Sequence, residues 1–161
     1  MSTTSLLDAI RVVKENERIA SKSYAEAAKT IINPIGIELF CQLSDFEKYH
    51  LKQLITLEKS LLATGDFIKY EGKVFPLPPK FVIKAAQEAN KKSVMLIISE
   101  ALELEKQAEK SYADLAAQLT DNSQGHRMFL RLSEEEHNHY RILTEAYWAL
   151  NDLGVWKWKR V

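Results

Sequence analysis

The chain has 161 residues, and its 22 Lys and Arg balance 22 Asp and Glu, so the formal net charge is zero. That balance offers no broad field for nucleic acid or an anionic membrane surface. The single cysteine excludes an intramolecular disulfide and a cysteine-built metal cluster, and the length fits one domain, 1–161, with a sizeable core.

The opening MSTTSLLDAIRVVKENE lacks the apolar run of a signal peptide. The longest wholly apolar stretch, residues 94–98, is far too short for a bilayer. A cytoplasmic protein with no nucleic-acid or membrane partner is expected.

Four long helices follow in chain order. The first is predicted from about Ser5 to Thr30, with Ser5 as cap and Asp8 in the first turn. Its inward seam reads Ile10, Val13, Glu17, Ala20, Tyr24, Ala27, Ile31. Asn33-Pro34 breaks it. The second helix runs from Pro34 or Ile35 to Ala63 and ends at Gly65, with the seam Phe40, Leu43, Glu47, His50, Leu54, Leu57, Leu61. The Pro- and Gly-rich segment GDFIKYEGKVFPLPP is too long for a hairpin. It reads as the start of a crossover over about 65–90, with a short extra helix at 80–90.

The third helix is predicted from Lys91 or Ser93 to Leu119, with the seam Ile98, Ala101, Glu105, Ala108, Tyr112, Leu115, Leu119. Thr120 to Ser123 forms a turn with several candidate caps. The fourth runs from about Ser123 to Asp152 and stops at Gly154; its seam is Phe129, Leu132, Glu136, His139, Leu143, Ala146, Leu150. The aromatic and basic tail 154–161 is expected to pack over the bundle end or a subunit interface. Short turns make each helix pair antiparallel. The fold class is therefore all-α, an antiparallel four-helix bundle with a long crossover between the second and third helices.

A carboxylate interrupts every seam. Glu17 and Tyr24 recur as Glu105 and Tyr112, 88 residues on; Glu47 and His50 recur as Glu136 and His139, 89 residues on. Residues i and i+3 share a helix face, so each Glu-x-x-His can reach one metal. Counting from the turns at 1.5 Å per residue brings all four carboxylates near mid-bundle. Four buried carboxylates are costly unless neutralised, and two divalent cations would neutralise them.

ENERIASKSY with LSDFEKYHLKQL, and ELEKQAEKSY with LSEEEHNHYRIL, resemble the ferritin-like, rubrerythrin-type di-iron carboxylate proteins over about residues 7–150. The resemblance implies a ferritin-like bundle with two iron ions, manganese being the open alternative. Glu47 and Glu136 would bridge both ions. Glu17 with His50, and Glu105 with His139, would complete the two shells. These six are the candidate metal-ligating and catalytic residues. Tyr24 and Tyr112 would hydrogen-bond to site carboxylates. The implied activity is reduction of hydrogen peroxide or dioxygen; ferroxidase or storage chemistry, or a non-catalytic iron-responsive module, are the alternatives. A homodimer is the expected assembly.

The chain departs from that family twice. One cysteine cannot build the cysteine-ligated iron domain of full-length rubrerythrins, so a separate electron donor is expected. Ala108 stands where rubrerythrins place an extra glutamate, and Ala108 with Ala20 would leave room for a small oxidant. His137, His126, Glu100, Glu103 and Glu109 read as solvated, and Cys41 as an inert small residue. Glu134 and Glu135 would be ligands only in a shifted register; the repeat selects Glu136.

Overall fold

The computed structural model describes residues 1–75 and 86–158. It contains helices α1 (Thr3–Thr30), α2 (Pro34–Ala63), α3 (Lys91–Ala117) and α4 (Gln124–Leu153). Two short strands, β1 (Ala86–Gln87) and β2 (Val155–Trp156), pair antiparallel with Ala86 opposite Trp156. The architecture is the expected all-α, ferritin-like antiparallel bundle. α1 packs on α2, α3 packs on α4, and α1 lies along α3. No helix among the described residues is long and apolar enough to cross a membrane.

The helix ends follow local chemistry. The Ser2 side chain accepts from the Ser5 N–H at 3.2 Å, so α1 starts at Thr3 and the cap is Ser2 rather than Ser5. Asn33 accepts from the Ile35 N–H at 3.0 Å, with Pro34 as the first helical residue. Ser123 accepts from the His126 N–H at 3.2 Å and caps α4.

The short helix expected at 80–90 is corrected in part. Residues 80–85 lie outside the described residues, and Ala86–Gln87 form a strand instead. The tail decides this: the Glu88 N–H donates to the Gly154 carbonyl at 2.9 Å, and the Trp156 indole N–H donates to the Glu88 carboxylate at 2.7 Å. These long-range bonds outweigh the helical propensity of the segment. Trp156 and Trp158 stack and are buried over the bundle end, and the Trp158 indole donates to the Ile142 carbonyl at 2.8 Å. A side chain at Gly36 would come within 2.6 Å of the Trp156 ring, so this contact needs glycine. Lys159 and Arg160 lie outside the described residues.

The core has two apolar layers. One gathers Ile31, Leu39, Phe40, Leu43, Ile98, Leu143 and Trp156. The other gathers Ile10, Leu54, Leu57, Leu115, Phe129 and Leu132. The carboxylates and histidines of the seams fall between them.

Candidate metal centre

All six seam residues meet in that middle layer. Glu17, Glu47, His50, Glu105, Glu136 and His139 are each at most 3% exposed. They form two groups, Glu17–Glu47–His50–Glu136 and Glu47–Glu105–Glu136–His139, whose potential ligand atoms lie within 4.8 Å of one another. Glu47 and Glu136 belong to both groups. The cluster is compatible with a metal site of two positions.

The histidines present matching nitrogens. His50 Nδ1 lies 2.9 Å from Glu136 Oε1, 3.1 Å from Glu47 Oε2 and 3.4 Å from Glu17 Oε1. His139 Nδ1 lies 3.1 Å from Glu47 Oε1, 3.2 Å from Glu136 Oε2 and 3.4 Å from Glu105 Oε2. The tyrosines act across the bundle. Tyr24 of α1 donates to Glu105 of α3 at 2.6 Å, and Tyr112 of α3 donates to Glu17 of α1. The helix pairs are also tied alike: the Ser44 hydroxyl donates to the Ser21 carbonyl at 2.8 Å, and the Ser133 hydroxyl to the Glu109 carbonyl at 3.0 Å.

The electrostatics divide the carboxylates. Burial, with the charges of Glu105 and Glu17, raises Glu47 from 4.5 to about 8. Burial, then Glu47 and Glu17, holds Glu136 well above its ordinary range. Burial also pushes Glu17 up, but His50, Glu47 and Tyr112 bring it down to about 2. Glu105 is lowered against burial by His139. Both imidazoles are raised well above their ordinary value; burial opposes their charge, but the surrounding carboxylates overcome it.

The residues fit a pair of cations. Both oxygens of Glu136 and Oε2 of Glu105 are buried, and the histidine nitrogens beside them do not meet them in hydrogen-bonding geometry. Buried acceptors of this kind are normally satisfied. Here both shared carboxylates and both Nδ1 atoms converge on the same points, a hard oxygen and imidazole donor set suited to iron or manganese.

Beside the site, between α1 and α3, lies a cavity of about 210 Å³. Ala20 and Ala108 line it together with Glu17, Glu47, Glu105 and Glu136. The space expected at the two alanines is therefore present.

Glu135, which the sequence offers only as a ligand in a shifted register, lies behind His50 instead. It is 4% exposed, and its Oε2 lies 2.9 Å from His50 Nε2. The same oxygen accepts from the Tyr70 hydroxyl, and Oε1 accepts from the Lys73 N–H. The Arg131 guanidinium lies 3.4 Å from Oε1. Gly72, at φ 81°, turns the chain here; a side chain on it would meet Glu135 and Arg131. No sequence signal named Tyr70, but the shared Leu-Ser preceding each Glu-x-x-His could have flagged Ser44 and Ser133.

The residues set aside lie away from the cluster. Glu100, Glu103, Glu134 and Cys41 are exposed. His137 is exposed and its Nδ1 lies 3.0 Å from Glu109 Oε1. His126 is half-buried rather than exposed, because its Nδ1 lies 2.9 Å from the Ala116 carbonyl. Glu109 is likewise half-buried.

The Rubrerythrin family model matches residues 97–154, a span that holds Glu105, Glu136 and His139. Curated proteins give no significant match. Among solved structures, a hypothetical protein from Pyrococcus furiosus is similar at 22% identity and a TM-score of 0.63, covering 98% of this chain and 94% of that one. At that identity the likeness concerns the fold. The matched segment covers most of the second helix pair, α3 and α4, and the structural likeness extends the fold over the rest of the chain.

Proposed function

We propose that this protein is a di-iron oxidoreductase that reduces hydrogen peroxide or dioxygen with electrons from a separate donor. The observation that carries this reading is the opening of a buried four-carboxylate, two-histidine cluster onto a cavity of small-molecule size. Glu17, Glu47, His50 and Glu136 would hold one ion; Glu47, Glu105, Glu136 and His139 would hold the other. Two ferrous ions side by side supply the two electrons that convert hydrogen peroxide and two protons to two water molecules.

The chain's own residues do the rest. The apolar layers above and below keep bulk water out. Ala20 and Ala108 leave space for a small oxidant beside Glu17 and Glu105. Tyr24 and Tyr112 orient those two carboxylates. Burial and the adjacent carboxylate charges raise both phenols well above their ordinary range, so they keep their protons and remain donors. A cytoplasmic homodimer without nucleic-acid or membrane partners completes the proposal.

Protein from iron-supplied cells should carry two iron ions per chain. After anaerobic reduction, mixing with peroxide or dioxygen should oxidise them within one rapid turnover, and an added electron donor should sustain further turnovers. Accumulation of many iron ions per assembly with sluggish peroxide consumption would favour storage. A reduced, iron-loaded protein inert to both oxidants would remove the enzymatic reading.

A further inference from the structure

The repeat that aligns Glu47 with Glu136 and His50 with His139 also aligns Phe46 with Glu135, 89 residues later. These two residues make equivalent crossings with opposite chemistry. Glu135 of α4 reaches over to the outer nitrogen of His50 on α2, at 2.9 Å. Phe46 of α2 reaches over to the ring of His139 on α4, with centroids 4.4 Å apart and planes at 86°, and it also meets the ring of His50 on its own helix, at 5.0 Å. Phe75 adds a second aromatic ring 5.5 Å from His139. His139 Nε2 is buried and has no hydrogen-bond partner among the described residues.

We infer that the two metal positions are unequal, and that Glu135 is the positioning residue that makes the Glu17–His50 position tighter and first to fill. The inference rests on reading the cluster as a two-metal site. Inside the cluster the two positions match: each has one histidine, one private carboxylate bonded by a tyrosine from the opposite helix, and both shared carboxylates. The difference lies behind the histidines.

A carboxylate on the outer N–H of a ligating imidazole fixes the ring, selects the tautomer whose other nitrogen faces the metal, and raises that nitrogen's basicity. Loss of such a partner typically costs about 10–100-fold in metal affinity. A phenyl ring does none of this. Phe46 and Phe75 pack against the His139 ring instead, and among the described residues no carboxylate meets its Nε2. Glu135 is itself held by Tyr70, Lys73 and Arg131, so its carboxylate is a fixed partner rather than a swinging one.

The test is an anaerobic titration of the metal-free, full-length protein with Co²⁺, followed by calorimetry and visible absorption. Crystals grown with one equivalent locate the cobalt by anomalous scattering. Two steps separated by about 10–100-fold are expected, with the first ion at Glu17–His50. Glu135→Gln keeps the shape and loses the charge; it should weaken the first step about tenfold or more and leave the second unmoved. Glu135→Ala should weaken the first step further. Phe46→Glu should tighten the second step if it folds; the Glu135 variants decide the matter without it. Two equal steps in the wild type, first occupancy at Glu105–His139, or a Glu135→Gln variant that weakens both steps alike would overturn the inference while leaving a two-metal site standing. Binding of fewer than two cobalt ions by the wild type would instead overturn the two-metal reading, and this inference with it.

Discussion

The two flanks of the cluster are built on opposite principles. On the α1–α3 flank the carboxylates Glu17 and Glu105 border a cavity, and Ala20 and Ala108 stand beside them in its lining. On the α2–α4 flank His50 and His139 are fully buried, and residues 70–75 of the segment after α2 bring Tyr70, Lys73 and Phe75 against Glu135, Phe46 and His139. On the proposed reading, the small oxidant enters by the first flank, where the cavity is lined by four cluster carboxylates. Chemistry that needs fixed geometry belongs on the second.

The most severe test removes what both flanks share. Glu136→Ala deletes a carboxylate that belongs to both groups and whose two oxygens lie beside the Nδ1 atoms of His50 and His139. Metal content should fall from two ions per chain to one or none, while helix content persists because the apolar layers are untouched. Elemental analysis beside far-ultraviolet circular dichroism reads both. A variant that still binds two ions would show that the flanks do not meet at Glu136.

The next test asks how protons substitute for metal. Glu47, Glu136, His50 and His139 all have raised folded values, so their stabilising contributions are present at low pH and are lost as pH rises through those values. Glu17, lowered to about 2, works the other way, losing its contribution as pH falls from 4.5. Metal-free protein should therefore be most stable near the ordinary carboxylate value of 4.5 and weaken steadily toward pH 8. Two divalent ions should remove the alkaline limb. At pH 6 they should also displace about four protons, two from imidazoles and two from carboxyls. Thermal melts across pH, and calorimetry in buffers of differing ionisation enthalpy, measure these. A metal-free protein that gains stability from pH 5 to 8 would contradict the charge assignment.

The two flanks were not equally legible in the sequence. The carboxylate seams, the tyrosines and the alanines all recur in register, so periodicity and repetition together located the cluster and its cavity side. Glu135 escaped for the same reason. It directly precedes a seam residue and so points about 100° off the seam in helical projection. Its repeat partner is Phe46, so a search for shared residues discards it. Its role comes from Tyr70 and Lys73, which join it only through the tertiary path of the segment after α2. The strand at Ala86–Gln87 was hidden likewise, because its partner is a tail about 70 residues away. Repetition finds what two halves share; what distinguishes them needs the folded chain.

The cavity flank can be filled or rewired at one position. Ala108→Phe should occupy the space beside Glu105 and slow oxidation of the reduced protein by peroxide at least about tenfold, roughly 1.4 kcal/mol on the barrier. Metal content should stay at two. Ala108→Glu should instead add a carboxylate to the cluster, changing the spectrum of the oxidised site. Stopped-flow rates and structures of both variants decide. An unaltered rate in the phenylalanine variant would mean that the oxidant arrives by another route. A new glutamate that stays away from the metals in both redox states would mean that Ala108 does not face them.

The smallest effect is expected on the packed flank, at Tyr70→Phe. Its hydroxyl is one of several partners of Glu135, beside His50, the Lys73 N–H and the Arg131 guanidinium. Removing one hydrogen bond to a charged group from such a set should cost about 1.5–3 kcal/mol at most, and less where the remaining donors compensate. The ring still packs near Tyr49, with centroids 6.2 Å apart, so the segment should keep its path. Chemical denaturation should show a modest fall in stability with an unchanged slope, and two metals should still bind. If Tyr70→Phe abolished metal binding as Glu136→Ala does, the hydroxyl would be holding the whole histidine flank in place, and the division between a reactive and a fixed flank would need to be redrawn around Tyr70.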